Sequence, residues 1–402
     1  MTILSTEERK TFILQSLLEK LDLPDHAQKK VKERYEDLSA WFSREASTLR
    51  DYDLHIFPQG SFLLGTTIRP LHEHERYDLD FACKVREGVK KTSHTQQELK
   101  QMIGDELELY RKARHIEEEL EEKHRCWRLS YQDEIKFHFD IIPAIPESEE
   151  KKMKILESIR LFEATDTAEE VAEQAAKTVM VITDDRHEGY KEICDDWKIS
   201  NPEGYAEWFK RRMFPQHFMN ESYTRAQIDE IPVYDQKTPL QQCIQLLKRH
   251  RDQMFADNEE SKPISIIITT LAARAYKGET DIISALTTIL DEMANYINDT
   301  TPRVPNPVHP SEDFTDRWNM DDCRHLQLEQ NFRNWLLQAR ISFKTILEQT
   351  NVEILLEQAS QRFSVQLNES DLKNNLQFSN TSHSSLPKLE VITEAPSPWL
   401  KN

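Results

Sequence analysis

The chain has 402 residues, 71 of them acidic against 52 basic, for a formal net charge of −19. That charge argues against a protein that coats nucleic acid, since such binding rests on many Lys and Arg contacts to phosphate, and no stable DNA binding is expected. Hydrophobic residues at 38% and charged residues at 31% suit a globular, helix-rich protein, and no apolar run approaches the roughly 20 residues needed to span a bilayer. The opening MTILSTEERKTF has no basic stretch ahead of an apolar one, so no membrane association and a cytoplasmic location are expected. Five dispersed cysteines (Cys83, Cys126, Cys194, Cys243, Cys323) form no CxxC pair and read as reduced core thiols.

Two helices open the chain. Ser5 and Glu8 make a capping-box pattern, and Ile13, Leu14, Leu17, Leu18 and Leu21 follow at helical spacing. Pro24 interrupts, and Val31, Tyr35, Leu38 and Phe42 mark the second helix. HIFPQG then reads as a short strand ending at Gly60, with SFLLGT opening a helix. LDFACKV, from Leu79 to Val85, alternates as a strand does. Residues 94–125 carry leucines at helical spacing, and the EEELEEK run within them reads as a solvated helix face. WRLSY and IKFHFDIIP, separated by Gln132-Asp133-Glu134, form a predicted hairpin.

VMVIT (179–183) is a further strand, and Asn201-Pro202 starts a helix. From about 238 the pattern is helical, with LQQCIQLLKRHRDQMF and ISIIITTLAARAY apolar enough to be central. TPRVPNPVHPSEDF, with four prolines, is expected as an extended loop, and helices resume over 321–363.

Chemistry concentrates on the predicted strands. With a side-chain period of two, Asp78 and Asp80 share one strand face, and Lys136, His138 and Asp140 share the polar face of the hairpin. Two adjacent strands then gather three carboxylates. Such groups repel one another, and divalent cations relieve the cost. Magnesium favours hard oxygen ligands shared with substrate phosphates, so Asp78, Asp80 and Asp140 are predicted to hold two Mg2+ ions, or Mn2+, for in-line phosphoryl transfer. Gly60 and Ser61, at a strand-to-helix turn, offer a close backbone approach and a hydroxyl to a nucleoside triphosphate. A DxD pair alone is commonly a solvated edge; the order Gly-Ser, DxD, later Asp is far more specific.

At these residues the chain resembles the DNA polymerase β-like nucleotidyltransferase superfamily. Within it, the chain is similar to the cGAS/DncV-like nucleotidyltransferases (CD-NTases) of bacterial cyclic-oligonucleotide antiphage signalling (CBASS). FPQGSFLLGTTIRP, YDLDFAC and FHFDIIPAIP carry the catalytic pattern; SNPEGYAEWF, LQQCIQLLKRHRD, PISIIITTLAARAY and NPVHPSEDFTDRW point to the narrower family.

The resemblance implies a bilobed α/β (α+β) fold: amino-terminal helices over 1–47, a nucleotidyltransferase core with a mixed sheet over 48–225, a helical carboxy-terminal lobe over 226–365 and a disordered tail over 366–402. It assigns Gly60, Ser61, Lys248 and Ser265 to the phosphates, with Gln59 near the donor, and Trp208 and Tyr234 as candidates for stacking on bases. It implies a cyclic di- or trinucleotide made from NTPs, ATP among them, with pyrophosphate released. A downstream effector would sense the product, and regulatory partner proteins would engage the tail. An RNA-tailing or small-molecule nucleotidyltransferase, and a silent nucleotide-binding scaffold, share the same motifs.

Overall fold

The structure, a computed structural model, describes residues 5–72, 75–132, 136–162, 169–214 and 236–376. Two compact units divide the chain. A sheet unit takes Leu23–Gln236 with Pro305–Glu312, and a helical unit takes the chain up to Asp22, Lys237–Val304 and the chain from Asp313. The first cut falls between α1 (Thr6–Leu21) and α2 (Asp25–Ser43), inside the block expected over 1–47. Pro24 is the N-cap of α2, and its missing amide and fixed φ separate the helices so that each serves a different core.

The sheet unit continues with β1 (Leu54–Pro58), one-turn α3 (Gly60–Leu63), β2 (Tyr77–Val85), α4 (Gln96–Ala113), β3 (Glu121–Glu122), β4 (Trp127–Gln132) and β5 (Lys136–Pro146). Then come α5 (Glu149–Phe162), α6 (Glu169–Thr178), β6 (Met180–Ile182), β7 (Lys198–Ser200) and α7 (Pro202–Met213). The strands form one mixed sheet in the order β1-β2-β5-β4-β3, with β6 and β7 continuing from the far half of β5. Among the described residues only the β2–β5 pairing is parallel. The hairpin turn, residues 133–135, lies outside the described residues, but Gln132 opposite Lys136 fixes its register.

One face of this sheet is apolar. Leu79, Phe81, Cys83, Leu129, Tyr131, Phe137, Phe139 and Ile141 point into a core completed by Val31, Tyr35, Leu38 and Phe42 of α2 and Leu99, Ile103, Leu107 and Tyr110 of α4. Aromatic rings interlock across the strands, Phe81 against Phe139 at 4.6 Å and Tyr131 against Phe137 at 4.8 Å between centroids. The Tyr35 hydroxyl donates to the Ile56 carbonyl at 2.9 Å, so a buried polar tip is satisfied where α2 meets β1. On the opposite face, Phe57, Ala82, Ala144, Met180 and Ile182 form a small apolar cluster at one end. The charged residues hold the other end.

Three expectations change. The helix predicted across 94–125 starts on a capping box of Thr95 and Glu98 but stops at Ala113. His115 is left-handed (φ 52°), which reverses the chain, and Glu121–Glu122 pair with β4 instead of extending a helix face. The proline-rich stretch is not merely a loop, since β8 (Pro305–Asn306) and β9 (His309–Asp313) pair, with Asn306 Nδ2 donating to Glu312 at 2.7 Å. The tail expected from 366 begins as α13 (Glu369–Leu376), because Asn368 Oδ1 accepts from the Ser370 amide at 3.0 Å and Leu372 is buried. Residues 377–402, expected to be disordered and to meet partner proteins, lie outside the described residues.

In the helical unit, α8 (Pro239–Met254) is central, packed by α1, α9 (Ser265–Ala275), α10 (Ile282–Glu292), α11 (Leu328–Glu348) and α12 (Val352–Phe363). Among the described residues no helix is long and apolar enough to cross a membrane. All five cysteines are free thiols.

The packing of α4 on the sheet is tight at Gly104, where any side-chain carbon would land in the indole of Trp127, whose Nε1 donates to the Lys100 carbonyl at 2.8 Å. Gly104→Ala should therefore destabilise the protein by about 1–3 kcal/mol, the usual cost of overpacking, read as a lowered melting temperature. An unchanged midpoint would contradict this packing.

Candidate active site

The charged end of the sheet is built by register. In the parallel pair, Asp80 lies opposite Asp140 and Asp78 opposite His138; in the antiparallel pair, Arg128 lies opposite Asp140 and Ser130 opposite His138. Directly paired residues share a face, so Asp78, Asp80, Arg128, His138 and Asp140 all project on the side away from the aromatic core. Asp140 is buried, Asp80 half-buried and Asp78 exposed.

The Arg128 guanidinium forks onto Asp140, Nε to Oδ1 and Nη2 to Oδ2, both at 2.7 Å, and its Nη2 also reaches Asp78 Oδ1 at 3.2 Å. His138 Nε2 stands 3.4 Å from Asp78 Oδ1, and His138 Nδ1 is buried without a hydrogen-bond partner.

These contacts set the protonation states. Asp78 titrates above its ordinary value, first because neighbouring protein desolvates it and second because Asp140 repels its charge, with Arg128 working the other way. Burial, reinforced by Arg128, holds His138 down to about 4, so the ring is neutral at physiological pH. The Cys126 thiol is pushed up to about 12 by burial and by Asp140, and stays protonated.

Gly60 adjoins the acids. The Gln59 amide donates to the Asp80 carbonyl at 2.9 Å, continuing the β1–β2 pairing to the turn. Gly60 is left-handed (φ 61°), and a Cβ there would sit 2.7 Å from Asp80 Oδ2. Only glycine fits the conformation and the space. Ser61 Oγ shares a hydrogen bond with Thr67 Oγ1 at 3.2 Å. The helix these residues open is a single turn, so the turn offers backbone amides and a hydroxyl, not the dipole of a long helix.

Lys248 and Ser265 belong to the helical unit. Lys248 is buried on α8. Ser265 is the first residue of α9, whose N-cap is Ile264, and its Oγ accepts from Arg251 Nη1 at 2.7 Å. Ser265 lines a pocket of about 580 Å³ with Arg251, Lys262, Arg317 and His325 on its walls. Trp208, a candidate for base stacking, is instead 5% exposed and packs on Tyr205, because α7 uses it as core. Tyr234 lies outside the described residues.

Among the described residues no three His, Cys, Asp or Glu side chains are gathered closely enough to hold a metal ion as they stand. The Arg128 fork takes both oxygens of Asp140. The donor set itself suits hard divalent cations: three carboxylates lie on one face, beside a cradle that any Cβ would fill. Arg128 was absent from the sequence prediction of the site, and His138 was placed on the polar face with Asp140 but given no role there. The alternation of WRLSYQ against FHFD, read through the hairpin register, carries the signal that places both on the acidic face.

Residues 54–143, from the first residue of β1 into β5, match the family described as "Cyclic GMP-AMP synthase DncV-like, nucleotidyltransferase domain". That segment is similar to a DncV-like nucleotidyltransferase domain. A protein from Roseivirga ehrenbergii named c-di-GMP synthase is 29% identical over 316 residues, covering 76% of this chain and 72% of that one. The cyclic dinucleotide synthase CdnG of Bradyrhizobium diazoefficiens is 24% identical over 317 residues, covering 76% of this chain and 69% of that one. The solved structure of the Bradyrhizobium diazoefficiens CD-NTase CdnG in complex with GTP aligns at a TM-score of 0.60 and 19% identity, over 92% of this chain and 97% of that one, which shows a shared fold. The matched segment, residues 54–143, contains the whole acidic face, from Asp78 through Arg128 to Asp140.

Gly60→Ala is expected to leave the melting temperature within a few degrees, since the turn is at the surface, yet to weaken nucleotide binding at least about tenfold by displacing Asp80. Calorimetric titration with an NTP analogue checks this, and unchanged affinity would contradict the cradle.

Proposed function

We propose that the protein is a metal-dependent nucleotidyltransferase that joins nucleoside triphosphates into a cyclic dinucleotide with release of pyrophosphate. The observation that carries this reading is the parallel register of β2 and β5, which sets Asp80 beside Asp140 with Asp78 on the same face. Asp78, Asp80 and Asp140 would hold two divalent cations, Mg2+ or Mn2+, which would act on the attacking hydroxyl and on the leaving pyrophosphate. When bound, the cations lower the pKa of that hydroxyl and neutralise charge growing on the pyrophosphate. Gly60 lets the phosphates approach the backbone, Ser61 offers its hydroxyl, and Gln59 lies beside them in the same turn. Lys248 and Ser265 are the helical unit's phosphate contacts in this reading, which rests there on the family resemblance alone.

In each of two rounds, the ribose hydroxyl oxygen of one nucleotide attacks the α-phosphorus of the other, the bond to the β-phosphate breaks, and pyrophosphate leaves. The linear product turns round between rounds, and the second round closes the ring. The names of the relatives, a c-di-GMP synthase and a CdnG solved with GTP, support GTP as a substrate; ATP is the expectation from the resemblance. The product serves as a second messenger for an effector in antiphage defence, again on the support of the resemblance.

Incubation with all four NTPs and Mg2+ or Mn2+, followed by phosphatase treatment and mass spectrometry, tests the reading. A phosphatase-resistant cyclic dinucleotide containing guanosine is expected, lost on adding EDTA and reduced at least about a hundredfold in Asp80→Asn. Strict dependence on an RNA acceptor would instead mark a tailing enzyme, and no product from the wild type under either metal would mark a scaffold.

A further inference from the structure

Arg128 stands where its charge competes with any cation the acids might take. It pairs with Asp140 across the antiparallel ladder, and its two-point fork at 2.7 Å and 2.7 Å leaves neither oxygen of that carboxylate unengaged. The same Nη2 spans to Asp78 at 3.2 Å, so one guanidinium ties the two outer members of the trio together. Its side chain is 24% exposed and that of Asp140 only 11%, which places the pair where water screens it weakly.

We infer that Arg128 is a built-in counter-ion of the acidic trio, which holds Asp140 in the metal-free protein and must release it before a divalent cation can be bound there. The inference rests on the metal-site reading above and adds a consequence of its own: the guanidinium sets a threshold for cation loading. Breaking a bidentate, partly buried ion pair subtracts from the affinity of every ion that needs Asp140. Removing the fork leaves three carboxylates facing one another, which destabilises the empty site and tightens its grip on a cation. A purely structural arginine predicts the opposite, because a damaged site binds metal more weakly. Arg128 is thus a positioning residue that acts through Asp140.

The test is Mn2+ binding to the nucleotide-free protein, read from the electron paramagnetic resonance of free Mn2+, alongside melting temperatures with and without the ion. Arg128→Gln is expected to bind Mn2+ at least about tenfold more tightly than wild type, to melt lower without metal, and to gain more than wild type when Mn2+ is added. Arg128→Lys, which keeps a charge but loses the planar fork, should fall between the two and serves if the glutamine variant fails to fold. Affinity for Mn2+ that is equal or weaker in both variants, while still lost in Asp140→Asn, overturns this inference and leaves the metal site standing. Mn2+ binding in wild type that is indifferent to Asp80→Asn and Asp140→Asn overturns both.

Discussion

The parallel pairing of β2 with β5 is the constraint from which the site follows. Among the described residues it is the only parallel contact in the sheet, and it puts Asp80 and Asp140 side by side from strands separated by α4 and the β3–β4 segment. A slip of one residue in either strand would turn that strand's acids into the aromatic core and expose its aromatic residues. Phe81, Tyr131, Phe137 and Phe139 interlock on the apolar face, so the packing that stabilises the unit also fixes the register that gathers the carboxylates. Structure and chemistry are two faces of one sheet. The same pairing brings Arg128 in from β4, and the repulsion that the register creates is met within the sheet itself.

Strand and helix periodicity carried much of this architecture to the surface of the sequence. Asp78 and Asp80 share a face because strands alternate, and Asp140 joins them because it alternates with the apolar Phe137, Phe139 and Ile141. The parallel pairing was not legible, since nothing in either strand names its partner; only proximity of motifs suggested it. Arg128 was passed over for a related reason: an arginine in WRLSY looks like a solvated edge until the hairpin register sets it against Asp140.

The differences have local causes. Leucines at helical spacing run past Ala113, but the left-handed turn at His115 and the chance of pairing with Trp127 and Arg128 draw Glu121–Glu122 into the sheet. Tertiary pairing outweighed helix propensity there. The amino-terminal helices were expected as one block over 1–47, whereas the break at Pro24 separates two cores. Within the helical unit, Ser265, which the resemblance assigns to the phosphates, is tied by Arg251, a buried residue of α8 that also donates to the Pro263 carbonyl at 3.1 Å. Composition could not foresee that link, which joins residues 14 positions apart.

Anomalous diffraction from crystals grown with Mn2+ and a non-hydrolysable GTP analogue tests the central claim most directly. The account predicts manganese peaks as a pair roughly 3.5–4 Å apart, both touching Asp78 and Asp80, one touching Asp140, with Arg128 withdrawn from its fork. Manganese bound away from this face, or an Asp140 still clasped by Arg128 in the loaded protein, would contradict it.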